Sequence, residues 1–186
     1  FIFALLYSTL YLQVLHNQTP IVAAYLSATV SFCWTTAALT CASWKGQKVK
    51  LAIIGGGFLI FFGTIGLVLF AVKGPIILII LSLGLIGLGI GFSNIHVMSL
   101  TIDCAEAGDS ALVASSIQTM RNMGLAFGSA IAGLIANIAG LTEEADVEVL
   151  SRAVDLIHMA DIVLAALTVV SLIAFVFYYE KEKQDR

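Results

Sequence analysis

The chain has 186 residues, 60% of them hydrophobic and only 11% charged, with a formal net charge of -3, and its mean hydropathy is +1.02. Soluble domains carry roughly a quarter charged residues, so a buried soluble core is excluded: this chain cannot supply the polar shell. Six long apolar runs with short polar breaks fill it instead, and a bilayer core of about 30 Å needs about 20 apolar residues per helical crossing.

The first run, 1–15, ends at His16, Asn17, Gln18, Thr19 and Pro20. It is short for a crossing and opens at Phe1 without an initiator Met, basic region or cleavage site, so the chain is expected to be a piece of a longer protein. The second run, 20–44, starts at a proline suited to a first helical turn, and Lys45, Lys48 and Lys50 follow it. The third, 51–72, stops at Lys73, Gly74 and Pro75, a breaker whose proline can open the fourth run, 75–102. That run ends in a polar turn with Asp103 and Glu106, after which the fifth spans 111–140.

Residues 141–161 are the longest polar segment. Val147, Leu150, Val154 and Ile157 recur there at helical spacing among Glu143, Glu144, Asp146, Glu148 and Asp155, which predicts an amphipathic outer loop at the membrane interface. The sixth run covers 162–179. The fold class predicted is an all-α membrane protein, a six-helix transmembrane bundle.

Six crossings put both ends on one side of the membrane. Lys45, Lys48, Lys50, Arg121, Lys181, Lys183 and Arg186 gather on that side, leaving Lys73 and Arg152 on the other. An excess of Lys and Arg marks the cytoplasmic loops, so this is expected to be a multi-pass plasma-membrane protein with both termini of the segment cytoplasmic.

In the fifth run Gly124, Gly128, Ala132, Ala136 and Gly140 repeat every four residues. Such a small-residue stripe lets a neighbouring helix approach closely. Gly84, Gly87, Gly89 and Gly91 in the fourth run, and Gly55, Gly56, Gly57, Gly63 and Gly66 in the third, extend the theme and imply tight crossings or bendable helices.

Arg121 stands inside the fifth run, and an arginine within a span faces the bundle interior or reaches a helix end. Two readings follow: it snorkels to the cytoplasmic interface, or it pairs with Asp103 or Glu106 at the cytoplasmic mouth as a gate or latch. Apolar and aromatic side chains such as Phe3, Tyr7, Tyr11 and Tyr25, with polar anchors at Gln13 and Asn94, are the candidates for a substrate cavity.

No metal or cofactor site is expected. Asn94 and His96 lie two apart and so point about 200° away from each other on a helix, and His16, His96 and His158 are dispersed. Cys33, Cys41 and Cys104 lack metal-ligand spacing. No carboxylate interrupts the middle of a run, Asp161 at the start of the last being nearest, so if protons drive this protein their main carrier is expected outside this chain.

Tyr11-Leu12-Gln13-Val14-Leu15, then polar residues and Thr19-Pro20, then a small-residue run from Ala23, resembles the opening of the C-terminal half of a major facilitator superfamily multidrug transporter. The fourteen-helix drug/proton antiporter branch is the most similar. The stretch from Ser116-Ile117-Gln118-Thr119-Met120-Arg121-Asn122-Met123-Gly124 to Gly128-Ser129-Ala130-Ile131 is similar to that family's late helix, where an arginine precedes a Gly and Ala ladder. The loop over 44–50 departs from the pattern, keeping its basic charge and lacking its Asp.

The resemblance implies one six-helix half of a transporter that exports small hydrophobic or amphipathic substrates by alternating access, with proton exchange, against the N-terminal half of the same protein. The partners implied are the lipid bilayer, that half, the substrate and protons; no nucleic acid and no enzymatic reaction are expected. Two other readings compete: an intramembrane serine protease using Ser93 with His158 as base, and a structural membrane subunit whose glycines serve only helix association.

Overall fold

The computed structural model describes residues 2–106, 108–141 and 146–185, with side chains from Tyr7 to Lys181 inside those ranges. The side chains of Phe3, Glu143, Glu144, Lys183 and Arg186, named above, lie outside the described residues. Six helices follow in order: α1 (Ile2–Val14), α2 (Pro20–Cys41), α3 (Gln47–Phe70), α4 (Ile76–Asp103), α5 (Ser110–Ile138) and α6 (Val147–Asp185).

Their limits follow from local chemistry. Pro20 occupies the first turn of α2, where a missing N–H is harmless, and the Thr19 hydroxyl accepts a hydrogen bond from the Val22 N–H. Helix α3 closes before Gly74 and Pro75, and Pro75 caps α4 in an extended conformation. Gly140, at φ +86°, ends α5: its N–H donates to Asn137 O and that of Leu141 to Ala136 O, the paired bonds of a left-handed terminal turn.

Helix α6 corrects the expectation for 141–161. It runs 39 residues from Val147, about 58 Å at 1.5 Å per residue, and absorbs most of that segment without a break. The reason is legible: no Gly or Pro occurs between Val147 and Asp185, so the apolar spacing that suggested a surface helix simply continues into the sixth run.

Helices α2, α3, α4 and α6 are each long and apolar enough to cross a membrane. Helix α1 has 13 residues. Helix α5 has 29, interrupted by Arg121, Asn122 and several hydroxyls.

The centre of the bundle is α4. Gly87 faces Val30 and Cys33, and Gly91 faces Trp34 and Ala37, so α2 and α4 run parallel. Against α3 the order reverses: Gly56 meets Ser93, Gly63 meets Ile86 and Gly66 meets Ser82. A Cβ on Gly91 would lie 2.5 Å from Trp34 O, and one on Gly63 would lie 2.8 Å from Ser82 O. Glycine is required where backbones come this close. The Ser93 hydroxyl donates to Gly89 O at 2.9 Å and to Ile53 O of α3 at 3.2 Å.

The remaining helices attach around this trio. Helix α1 meets α2 through the Ser8 hydroxyl, which donates to the Ser27 hydroxyl at 2.9 Å, and His16 Nε2 donates to Ala71 O at 2.7 Å. Helix α6 packs on α3 at Gly57 and pairs Glu180 with Lys50. One end of the bundle thus holds His16, Ala71 and Leu150, and the other holds residues 45–50 and Glu180. The main core, with Tyr11, Leu12, Leu67, Ile79, Leu150 and Val154, reaches toward the first of these ends.

Candidate functional site

The polar residues of the chain fall on two surfaces, one exposed and one buried. The exposed one lies where α5 passes α2. The Arg121 guanidinium sits 5.3 Å above the centre of the Trp34 ring, a cation–π contact. Beside it Gln118 Nε2 donates to Asn122 Oδ1 at 3.1 Å, while Tyr25 and Phe32, 76% and 74% exposed, lie on the side of α2 opposite Trp34. The Thr35 and Thr36 hydroxyls are satisfied by Ser31 O and Phe32 O one turn back, so neither needs an outside partner.

Arg121 is not paired with Asp103 or Glu106. It lies eleven residues into α5 from Ser110, about 16 Å along the axis, while both acids precede that helix. Asp103 instead lines a cavity of about 510 Å³ with Lys45, His96 and Ser99, and Glu106 is exposed. The arginine has taken an aromatic partner on α2.

The cavity candidates are dispersed. Tyr25 is on the exposed face of α2, Asn94 is half-buried on α4, and Gln13 is half-buried with its Nε2 donating to Thr9 O of its own helix. Tyr7 is partly buried against both cores. Tyr11 has no exposed surface; its ring packs edge-on against His158, with centroids 5.8 Å apart.

The small-residue stripe of α5 divides. Ala132 and Ala136 are buried against Ile157 of α6, Gly128 is half-buried, and nothing lies within 4 Å of a Cβ on Gly124. Gly140 serves the helix end. The tightest approaches belong to the glycines of α3 and α4.

The buried surface holds what the sequence reading missed. His158 and Asp161 are 1% and 2% exposed, on the stretch of α6 predicted to be an interfacial loop. The signal was available: Val154, Ile157 and Asp161 continue the helical spacing of Val147 and Leu150. Ser93 and His158 do not form a dyad. The Ser93 hydroxyl is engaged with α3 and α4 backbone, and His158 sits against α1.

Comparison with known proteins agrees with this architecture. The sequence profile of the MFS/sugar transport protein family matches residues 1–182. Two curated relatives, each called a probable multidrug-efflux transporter and found in two strains of Mycobacterium tuberculosis, are 31% identical over 141 residues. The match covers 72% of this chain and 30% of each relative, so the chain spans under a third of their length. No solved structure matches. An all-helical bundle with four membrane-length apolar helices, matched almost end to end by one profile, establishes that the chain belongs to the MFS/sugar transport protein family of the major facilitator superfamily, integral membrane transporters and not enzymes.

Proposed function

We propose that this chain forms the C-terminal half of a secondary transporter that exports small hydrophobic or amphipathic compounds by alternating access, driven by proton exchange. The observation that carries this reading is the α2–α5 face. It combines the Trp34 ring and the cation held on it with amide groups at Gln118 and Asn122 one turn apart on α5. Sites for such ligands pair apolar surface with a few placed polar groups. In transporters of paired halves the site lies between them near the midplane, and this face is the wall our reading turns toward the N-terminal half, with Gln13 and Asn94 as further anchors.

Arg121 is the gate in this reading. Its contact with Trp34 ties α5 to α2, and a moving pair of halves must make or break such contacts as they rock. The relatives' printed names supply the direction of transport and the multidrug substrate class.

The test is efflux of a fluorescent amphipathic cation from vesicles carrying the intact transporter. Efflux is expected to collapse when the pH gradient is dissipated, and to fall about two- to fivefold in Arg121→Gln, the loss of an exposed cation–π contact of about 0.5–1 kcal/mol. Undiminished efflux without a gradient would remove proton exchange, and full activity in Arg121→Gln would remove the gate.

A further inference from the structure

We infer that His158, framed by Tyr11 and Asp161, is a proton-binding site buried between α1 and α6. The inference deepens the exchange reading above and rests on it only for what the proton is used for.

His158 lies eleven residues beyond Val147, the first residue of α6, about 16 Å along the helix. It is 1% exposed, and Asp161, 2% exposed, follows three residues later, so both lie on one face of the helix. Layers of Leu12, Val154 and Ile157 surround them with hydrocarbon. Ionisable side chains at such a place in a membrane bundle are rare and mark ion and proton paths.

The state of the ring follows from its bonds. His158 Nδ1 is 2.8 Å from Val154 O, and a carbonyl oxygen only accepts, so Nδ1 carries the hydrogen of the neutral ring and Nε2 is a bare lone pair. That Nε2 has no hydrogen-bond partner, and neither has the hydroxyl of Tyr11, whose ring packs on the imidazole. Buried polar atoms are nearly always bonded. An imidazole nitrogen left open in this way is a lone pair that can take up a proton.

Helix α6 itself supplies Asp161 and Asp155, both close enough to act on the ring. The titratable groups offered by α1 are Tyr7 and Tyr11; α5 contributes Ala132 and Ala136 and α3 contributes Leu67 and Ala71, which carry no charge. Uptake forms an N–H bond at Nε2 with a proton delivered by water at the end of the bundle that holds His16 and Leu150. The imidazolium charge is offset by the carboxylate of Asp161, and release returns the proton to water and the ring to its neutral form.

The test is heteronuclear NMR of the histidine-labelled transporter in lipid nanodiscs, with the His158 signal assigned by its loss in His158→Gln. The neutral Nδ1–H form is expected at high pH, with a transition to the doubly protonated ring as pH falls. Removing an opposing charge disfavours protonation, so Asp161→Asn should lower that transition by about one unit or more. Asp155→Asn, at a half-buried position, should move it the same way by less and serves if Asp161→Asn does not fold. A His158 that stays neutral throughout, or a transition that ignores the folded acid variant, overturns the proposal. Efflux that ignores the pH gradient beside a titrating His158 would remove the exchange reading and leave the site; gradient-driven efflux with a silent His158 would do the reverse.

Discussion

At the scale of single residues, the glycines separate into those that are filled against a neighbour and those that are not. A Cβ on Gly89 would meet the Gly56 carbonyl and Ile60 N, the latter at 2.8 Å, and these backbone atoms of α3 cannot yield as the end of a flexible side chain could. Gly89→Ala should therefore destabilise by about 1–3 kcal/mol, the usual penalty of overpacking. Gly124→Ala meets open space and should hold or gain up to about 1 kcal/mol through helix propensity. Thermal melts in detergent check both, and equal effects would remove the distinction between them. The sequence alone showed both glycines in small-residue runs and could not rank them, because what faces a helix is decided by the neighbour it packs on. The same limit hid His158 and Asp161: each reads as an ordinary polar residue at the mouth of a span until α1 covers it. Tyr11 erred the other way, an aromatic residue assigned to a cavity wall that is fully enclosed.

At the scale of elements, most boundaries were legible because each is set by a local breaker. Thr19-Pro20, Gly74-Pro75 and the polar turn after Asp103 stop or start helices through backbone chemistry that needs no partner. The start of α6 was misplaced because polarity was weighed above continuity, and an amphipathic stretch without breakers joins whatever helix follows it. The four-residue repeat of α5 was read as a stripe that lets a neighbouring helix approach closely, yet only Ala132 and Ala136 are buried along its length. Helix α4, by contrast, buries ten residues between α2 and α3. Local stability follows buried contact, so amide hydrogen exchange of this chain in detergent should be markedly faster in α5 between Leu112 and Phe127 than in α4 between Ile79 and Ser93. Equal protection would mean that α5 is held by something other than the contacts described. A loosely attached α5 also suits the gate proposed for Arg121, since its only aromatic clasp to α2 among the described residues is Arg121 on Trp34.

At the scale of the whole molecule, the two ends of the bundle differ in charge, and from that difference we propose an orientation. Lys45, Lys48 and Lys50 stand at one end beside the end of α6, and Lys73 and Arg152 are exposed at the other. Acids also collect at the first end, at Asp103, Glu106 and Asp109, but orientation follows Lys and Arg rather than net charge, so they do not reverse the assignment. The ion pair between Lys50 and Glu180 is partly exposed and is worth about 0–1 kcal/mol; it fixes register between α3 and α6 more than it stabilises them. In the proposed orientation this end is cytoplasmic, and the His158 site would lie toward the outer side, where a proton moving inward would first be met. A cysteine at Gln47, which is exposed at the start of α3, should react with a membrane-impermeant maleimide in inside-out vesicles and stay unlabelled in intact cells, once Cys33, Cys41 and Cys104 are replaced. Lys73→Cys should show the opposite pattern. Labelling of Gln47→Cys from outside would invert the molecule, placing the Lys-rich end outward and the buried histidine on the side from which protons leave.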